Sequence, residues 1–89
     1  MSSRYDMSLG EFLPGITLPA QVHGLLRQRL SEIEVSDTPT NCLIAQVRAE
    51  SLVEALAAMK AVSKEGCERL FKIIMHSAGA RLEELNGPV

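Results

Sequence analysis

The segment from Lys64 to Leu85 constrains the fold more than any other part of the chain. At 100° per residue, Cys67, Leu70, Phe71, Ile74, Met75, Ala78, Leu82 and Leu85 fall within about 140° of arc. Glu65, Glu68, Arg69, Lys72, His76 and Glu83 occupy the opposite side. Such a stripe has to be laid against another apolar surface, so this stretch predicts a helix that forms one wall of a core. Ser63 and Glu65 suit its start, and Asn86-Gly87-Pro88 stops it. Ile73 breaks the polar side and is expected to be exposed or at an interface.

Two further segments carry helical signals. From Pro19 to Ile33, Val22, Leu25, Leu26, Leu30 and Ile33 share a side, with Gln21, His23, Arg27, Gln28, Ser31 and Glu32 mostly opposite. Pro19 suits a first helical position, where its missing N–H costs nothing. Arg29 falls inside the apolar arc, where its stem can pack while the guanidinium reaches the edge. Ser36-Asp37-Thr38-Pro39-Thr40 is turn chemistry, and Asp37 or Thr38 can cap a helix beginning at Pro39. The stretch Asn41 to Val62 has neither Gly nor Pro. Ile44, Leu52, Ala55, Leu56, Met59 and Val62 are expected to form its core face, with Gln46, Glu50 and Lys60 opposite and Arg48 intruding on the apolar side. Ser51 and Glu54 form a capping box, so the start at Pro39 or at Ser51 stays open.

The expected architecture is all-α: a small three-helix arrangement with a C-terminal antiparallel helical hairpin from Pro39 to Leu85, covered by the helix from Pro19. Residues 1–18 are expected to be a flexible N-terminal segment with a short helical turn from Ser8 to Leu13, ended by Pro14-Gly15. Residues 19–86 form a single helical domain and 87–89 a tail. At 89 residues and 3% aromatics, the core has to be aliphatic and modest, and self-association is one way to supplement it.

Two other registers have a basis in the residues. Gly15-Ile16-Thr17-Leu18-Pro19-Ala20-Gln21-Val22 resembles the strand-to-helix entry of ribbon–helix–helix repressors, which implies a DNA-binding regulator with Arg27 and Arg29 on phosphates. A first strand around Pro14-Gly15, the helix from Pro19, Ile33-Glu34-Val35 in a hairpin through Pro39 to Val47, a helix to Val62 and a strand from Leu70 to Met75 would give the ferredoxin-like order βαββαβ. In that register Val35 to His76 resembles the small chaperone that guards the twin-arginine signal peptide of periplasmic nitrate reductase, which implies signal-peptide binding. The helical reading ranks first because a strand at Leu70–Met75 would sacrifice the cleanest amphipathic pattern in the chain.

Little in the sequence points to chemistry. The six glycines are scattered singly, with no phosphate-cradling loop. Cys42 and Cys67 read as small buried hydrophobes, and no spacing pairs them with His23 or His76 as nucleophile and base or as metal ligands. Glu83 and Glu84 are adjacent on a helix and do not face each other. No enzyme activity, cofactor, metal or small-molecule substrate is expected. The net charge of −2 argues against a nucleic-acid partner. No apolar run is long enough for a membrane span, and Met1 to Gly10 does not read as a secretory signal, so a cytoplasmic protein is expected. The expected function is a non-catalytic protein–protein interaction module (an adaptor, inhibitor or assembly factor) that binds a protein partner or itself as a homodimer. Its interface candidates are Arg29, Arg48 and Ile73, which break the helical patterns.

Overall fold

The computed structural model describes residues 11–87. It contains a small antiparallel hairpin, β1 (Glu11–Leu13) and β2 (Ile16–Thr17), followed by three helices. These are α1 (Ala20–Glu34), α2 (Pro39–Ala58) and α3 (Lys64–Asn86). The all-α three-helix arrangement is the fold, and α2 packs against both α1 and α3. The last two helices run antiparallel: Cys42, near the start of α2, lies 3.7 Å from the Ala78 carbonyl late in α3. Leu70 to Met75 lie inside α3, so the ferredoxin-like alternative is not formed. The stripe decides this, since a strand alternates its side chains with a period of two and would set Cys67 and Phe71 on the face opposite Leu70 and Ile74.

The start of the chain departs from expectation. Residues 11–13 form a strand instead of closing a helical turn, while Ser8 to Gly10 lie outside the described residues. Pro14-Gly15 is the two-residue turn of the hairpin, placing Leu13 opposite Ile16. Pro followed by Gly is the signature of a type II turn, and Gly15 sits at φ 85°, a left-handed conformation suited to glycine. Residues 11–18 are packed against the helices. Ile16 and Leu18 are buried in the core, Arg69 Nη1 on α3 donates to the Pro14 carbonyl at 2.7 Å, and the Phe12 ring meets His23 edge-on at 5.2 Å. Arg27 Cζ lies 5.5 Å from the same ring, within cation–π range.

Both ends of α2 have identifiable causes, and the start of α1 is set at Pro19. α1 starts at Ala20, one residue after the expected Pro19, whose carbonyl accepts from His23 N at 2.8 Å. α2 is one continuous helix from Pro39: the Thr38 side chain accepts from Asn41 N at 3.0 Å, and Pro39 fills the first position. The Ser51–Glu54 box is therefore unused, being overridden by continuation of the helix. The end of α2 comes at Ala58, before the expected Val62. Lys60 N donates to the Ala57 carbonyl at 3.0 Å and Ala61 N to the Leu56 carbonyl at 2.9 Å, the paired bonds of a Schellman motif. Its left-handed position is held by Lys60, at φ 57°, where most helices use glycine. Lys60→Gly is therefore expected to stabilise the chain by about 1 kcal/mol, read as a higher urea midpoint with an unchanged slope.

The core is aliphatic and runs the length of the bundle. Leu26 and Ile33 come from α1, Cys42, Ala45, Ala49, Val53 and Leu56 from α2, and Cys67, Leu70, Ile74 and Ala78 from α3. On α3 the expected face is confirmed apart from Met75, which is exposed at the edge of the stripe. On α2 it is corrected. Ile44, Ala55 and Met59 are exposed, and the buried face runs instead through Cys42, Ala45, Ala49 and Val53 to the expected Leu56, while the expected Leu52 and Val62 are partly buried against the core. Small side chains on that face suit the middle position between two helices, because the interaxial distance follows the side chains at the contact. Ser36 is also buried, its hydroxyl donating to the Ile33 carbonyl at 2.8 Å, while Arg81 on α3 donates to the Ser36 carbonyl at 2.8 Å. These bonds tie the α1–α2 connection to α3.

Candidate functional site: the outer face of α2

With its small residues turned inward, α2 carries larger apolar residues outward. Leu43, Ile44 and Val47 are 49%, 53% and 57% exposed, and they adjoin on the side away from the core. Together with Thr40 and Arg48 they line a shallow apolar depression of about 360 Å³. Local helix formation does not account for Ile44 and Val47. Ile and Val lose side-chain rotamer freedom in a helix, so solvent-facing positions are better filled by Lys, Glu or Ala. Scattered exposed hydrophobes are ordinary, whereas a contiguous cluster marks a surface that something covers. Beyond Val47 the same side passes to exposed Ser51 and Glu54, which ends the cluster.

A polar depression of about 280 Å³ borders this cluster, sharing Ile44 and Arg48 with it and lined also by Glu32, Ser36, Asp37 and Asn41. Here two of the predicted interface residues come together. Arg29 Nη1 bonds Glu32 Oε2 at 2.9 Å with the side chain only 18% exposed, the packed stem expected of it. Arg48 Nη1 lies 3.4 Å from Glu32 Oε1. That oxygen is shut away from solvent and accepts no hydrogen bond, so Arg48 holds it by charge attraction without a well-directed N–H. Arg48 keeps about half of its side-chain surface in water (53%). Asp37 Oδ1 accepts from Asn41 Nδ2 at 2.8 Å on the exposed rim. Ile73, the third predicted residue, is half-buried on α3 and lines neither depression.

Sequence reasoning thus found Arg48 at the border of the patch and missed Leu43, Ile44 and Val47 as surface residues. Ile44 was placed in the core because α2 is apolar on two opposite sides, so the helical period gives two admissible faces.

The titratable and nucleophilic side chains are dispersed. Cys67 lies beside a depression of about 580 Å³ at the α2–α3 turn, lined also by Lys60, Ser63, Lys64, Glu68 and Phe71, and its thiol points to the Val62 carbonyl at 3.9 Å. His76 lies nine residues further along α3, about 13 Å along the axis. Cys42 and Cys67 are both buried free thiols. Among the described residues no three His, Cys, Asp or Glu side chains are grouped to hold a metal ion. No helix among them is long and apolar enough to cross a membrane. Comparison with protein-family models, with curated proteins and with solved structures finds no match to this chain.

Proposed function

We propose that the protein is a non-catalytic protein–protein interaction module acting in the cytoplasm, and that its contact surface is the outer face of α2. One observation carries this reading: Leu43, Ile44 and Val47 form a contiguous apolar cluster on a helix whose core face is separately satisfied by Cys42, Ala45, Ala49, Val53 and Leu56. A surface that costs helix propensity and gains nothing inside the folded chain is suited to gaining it from a partner. The polar depression beside it supplies charged groups that orient whatever docks. Two free, buried thiols suit a reducing compartment. The predicted interface is kept at Arg48 and shifted from Arg29 and Ile73 to the α2 cluster, since Arg29 is largely taken up by Glu32.

The test is dependence on the patch. Val47→Asp places a charge at the C-terminal end of the cluster, at an exposed helical position, so the fold is expected to lose no more than about 0.5 kcal/mol. Far-ultraviolet circular dichroism should be unchanged. The immobilised wild-type chain should retain from host extract, or from a solution of itself, material that the variant fails to retain. Equal retention by the two chains would refute the outer face of α2 as the contact surface.

A further inference from the structure

We infer that the outer face of α2 pairs with the same face of a second copy, the two helices crossing antiparallel about a two-fold axis that passes between Leu43 and Ile44. This rests on the interaction reading above and names its partner. The apolar residues Leu43, Ile44 and Val47 line one depression together with Thr40, whose methyl can join them, and with Arg48 at its border. The spacing of Thr40, Leu43, Ile44 and Val47 reads the same in either direction along the helix. An isologous contact requires that residue i meet j while j meets i, and here Thr40 meets Val47 of the other copy while Leu43 meets its Ile44. Ser51 and Glu54, exposed beyond Val47, disfavour an axis further along the helix.

Charge favours the same arrangement. In an antiparallel pair of helices about a two-fold axis, each flank meets its own counterpart. Asp37 and Arg48 lie on one flank, since both line the polar depression beside Ile44. The axis between Leu43 and Ile44 sets Arg48 opposite Pro39 of the other copy, two residues from Asp37 and within reach of a long guanidinium side chain. Each copy thus offers one cation and one anion, and two equivalent pairs form. Arg48 is 53% exposed and bound only loosely to Glu32, while Asn41 takes one of the several acceptor positions of the Asp37 carboxylate. Glu50 falls outside both depressions that border the paired face.

Such an interface is narrow, at the low end of the range below roughly 1,200 Å² of buried surface, so the dimer is expected to be concentration-dependent. Sedimentation equilibrium from about 10 µM to about 1 mM, the range of a weak association, should show the mass of wild-type chain rising towards twice that of one chain. Ile44→Asp should remain at the mass of one chain throughout. The register has its own probe in Thr40→Cys combined with Val47→Cys. Those positions are about 10 Å apart along one helix, too far to bridge within a copy but opposed across the axis. Oxidation should convert the double variant to a covalent dimer, with either single variant far less reactive. Native Cys42 and Cys67 are buried and do not compete. Wild-type chain that stays monomeric to about 1 mM would overturn self-pairing, and a dimer that the double-cysteine variant fails to lock would overturn this register. Either result is separate from the interaction reading, which fails only when Val47→Asp retains everything the wild-type chain retains.

Discussion

Ile33→Ala should lower the melting temperature by roughly 10–30 °C, the largest loss expected from a single truncation in this chain. Ile33 lies at the last turn of α1, is wholly excluded from solvent, and belongs to the cluster that joins all three helices. Removing its branched side chain forfeits transfer energy and leaves a cavity that the helices on either side cannot close, together about 2–5 kcal/mol. A domain of this size is expected to hold only about 5–10 kcal/mol in all. The substitution keeps the Ile33 carbonyl, which accepts from the Ser36 hydroxyl, so the α1–α2 connection should remain tied and the effect should report packing alone. Thermal unfolding followed by far-ultraviolet circular dichroism measures it. Ile44→Ala, the same chemistry on the outer face of α2, serves as the comparison and should change stability by no more than about 0.5 kcal/mol. Equal losses at the two positions would mean that the buried face of the bundle has been misassigned.

Ala49→Leu carries the second large effect, and its sign is the informative part. Ala49 has no exposed surface and sits in the middle of the buried face of α2, between Ala45 and Val53. If that face bordered a void, the added carbons would stabilise by about 0.8 kcal/mol each. In a close-packed bundle they force helices apart or side chains off their rotamers, at a cost of about 1–3 kcal/mol or more. Destabilisation is the expected outcome, read as a lower urea midpoint. Ala55→Leu on the exposed side of the same helix should be nearly neutral. A stabilised Ala49→Leu chain would show that α2 is not held close to its neighbours.

How much of this was readable in the chain differs from helix to helix. α3 was legible because its apolar residues occupy one arc and its polar residues the other, leaving one way to lay it on a core. α1 was legible for the same reason, down to the packed stem of Arg29, although Leu25 at the edge of its apolar arc is exposed. The boundary at Lys60 was hidden because a lysine holds the left-handed position that usually announces itself as glycine. Pro14-Gly15 does not announce a hairpin by itself, since the same dipeptide that terminates a helix also makes a tight turn between strands. Two strands of three and two residues are too short to show alternation.

The candidate site was the least legible part. It lies on α2, whose residues admit two opposite apolar faces, one of small side chains and one of large. Transfer energy alone favours burying Leu43, Ile44 and Val47 over Ala45 and Ala49. The structure does the reverse, because a helix flanked by two others is set by how closely the backbones approach.

Amphipathic periodicity, the turn and cap residues and an aromatic content of 3% determined that the chain forms three helices, that the last two fold back on each other, and that the core is aliphatic. These follow from a single apolar arc on α1 and α3 and from the turn and cap residues between the helices. Which face of α2 is buried, and hence which apolar residues remain in water, was decided only when three helices packed together. Periodicity fixes directions around one axis, while the choice between two admissible directions depends on the distance to the neighbouring axes, which no local pattern encodes.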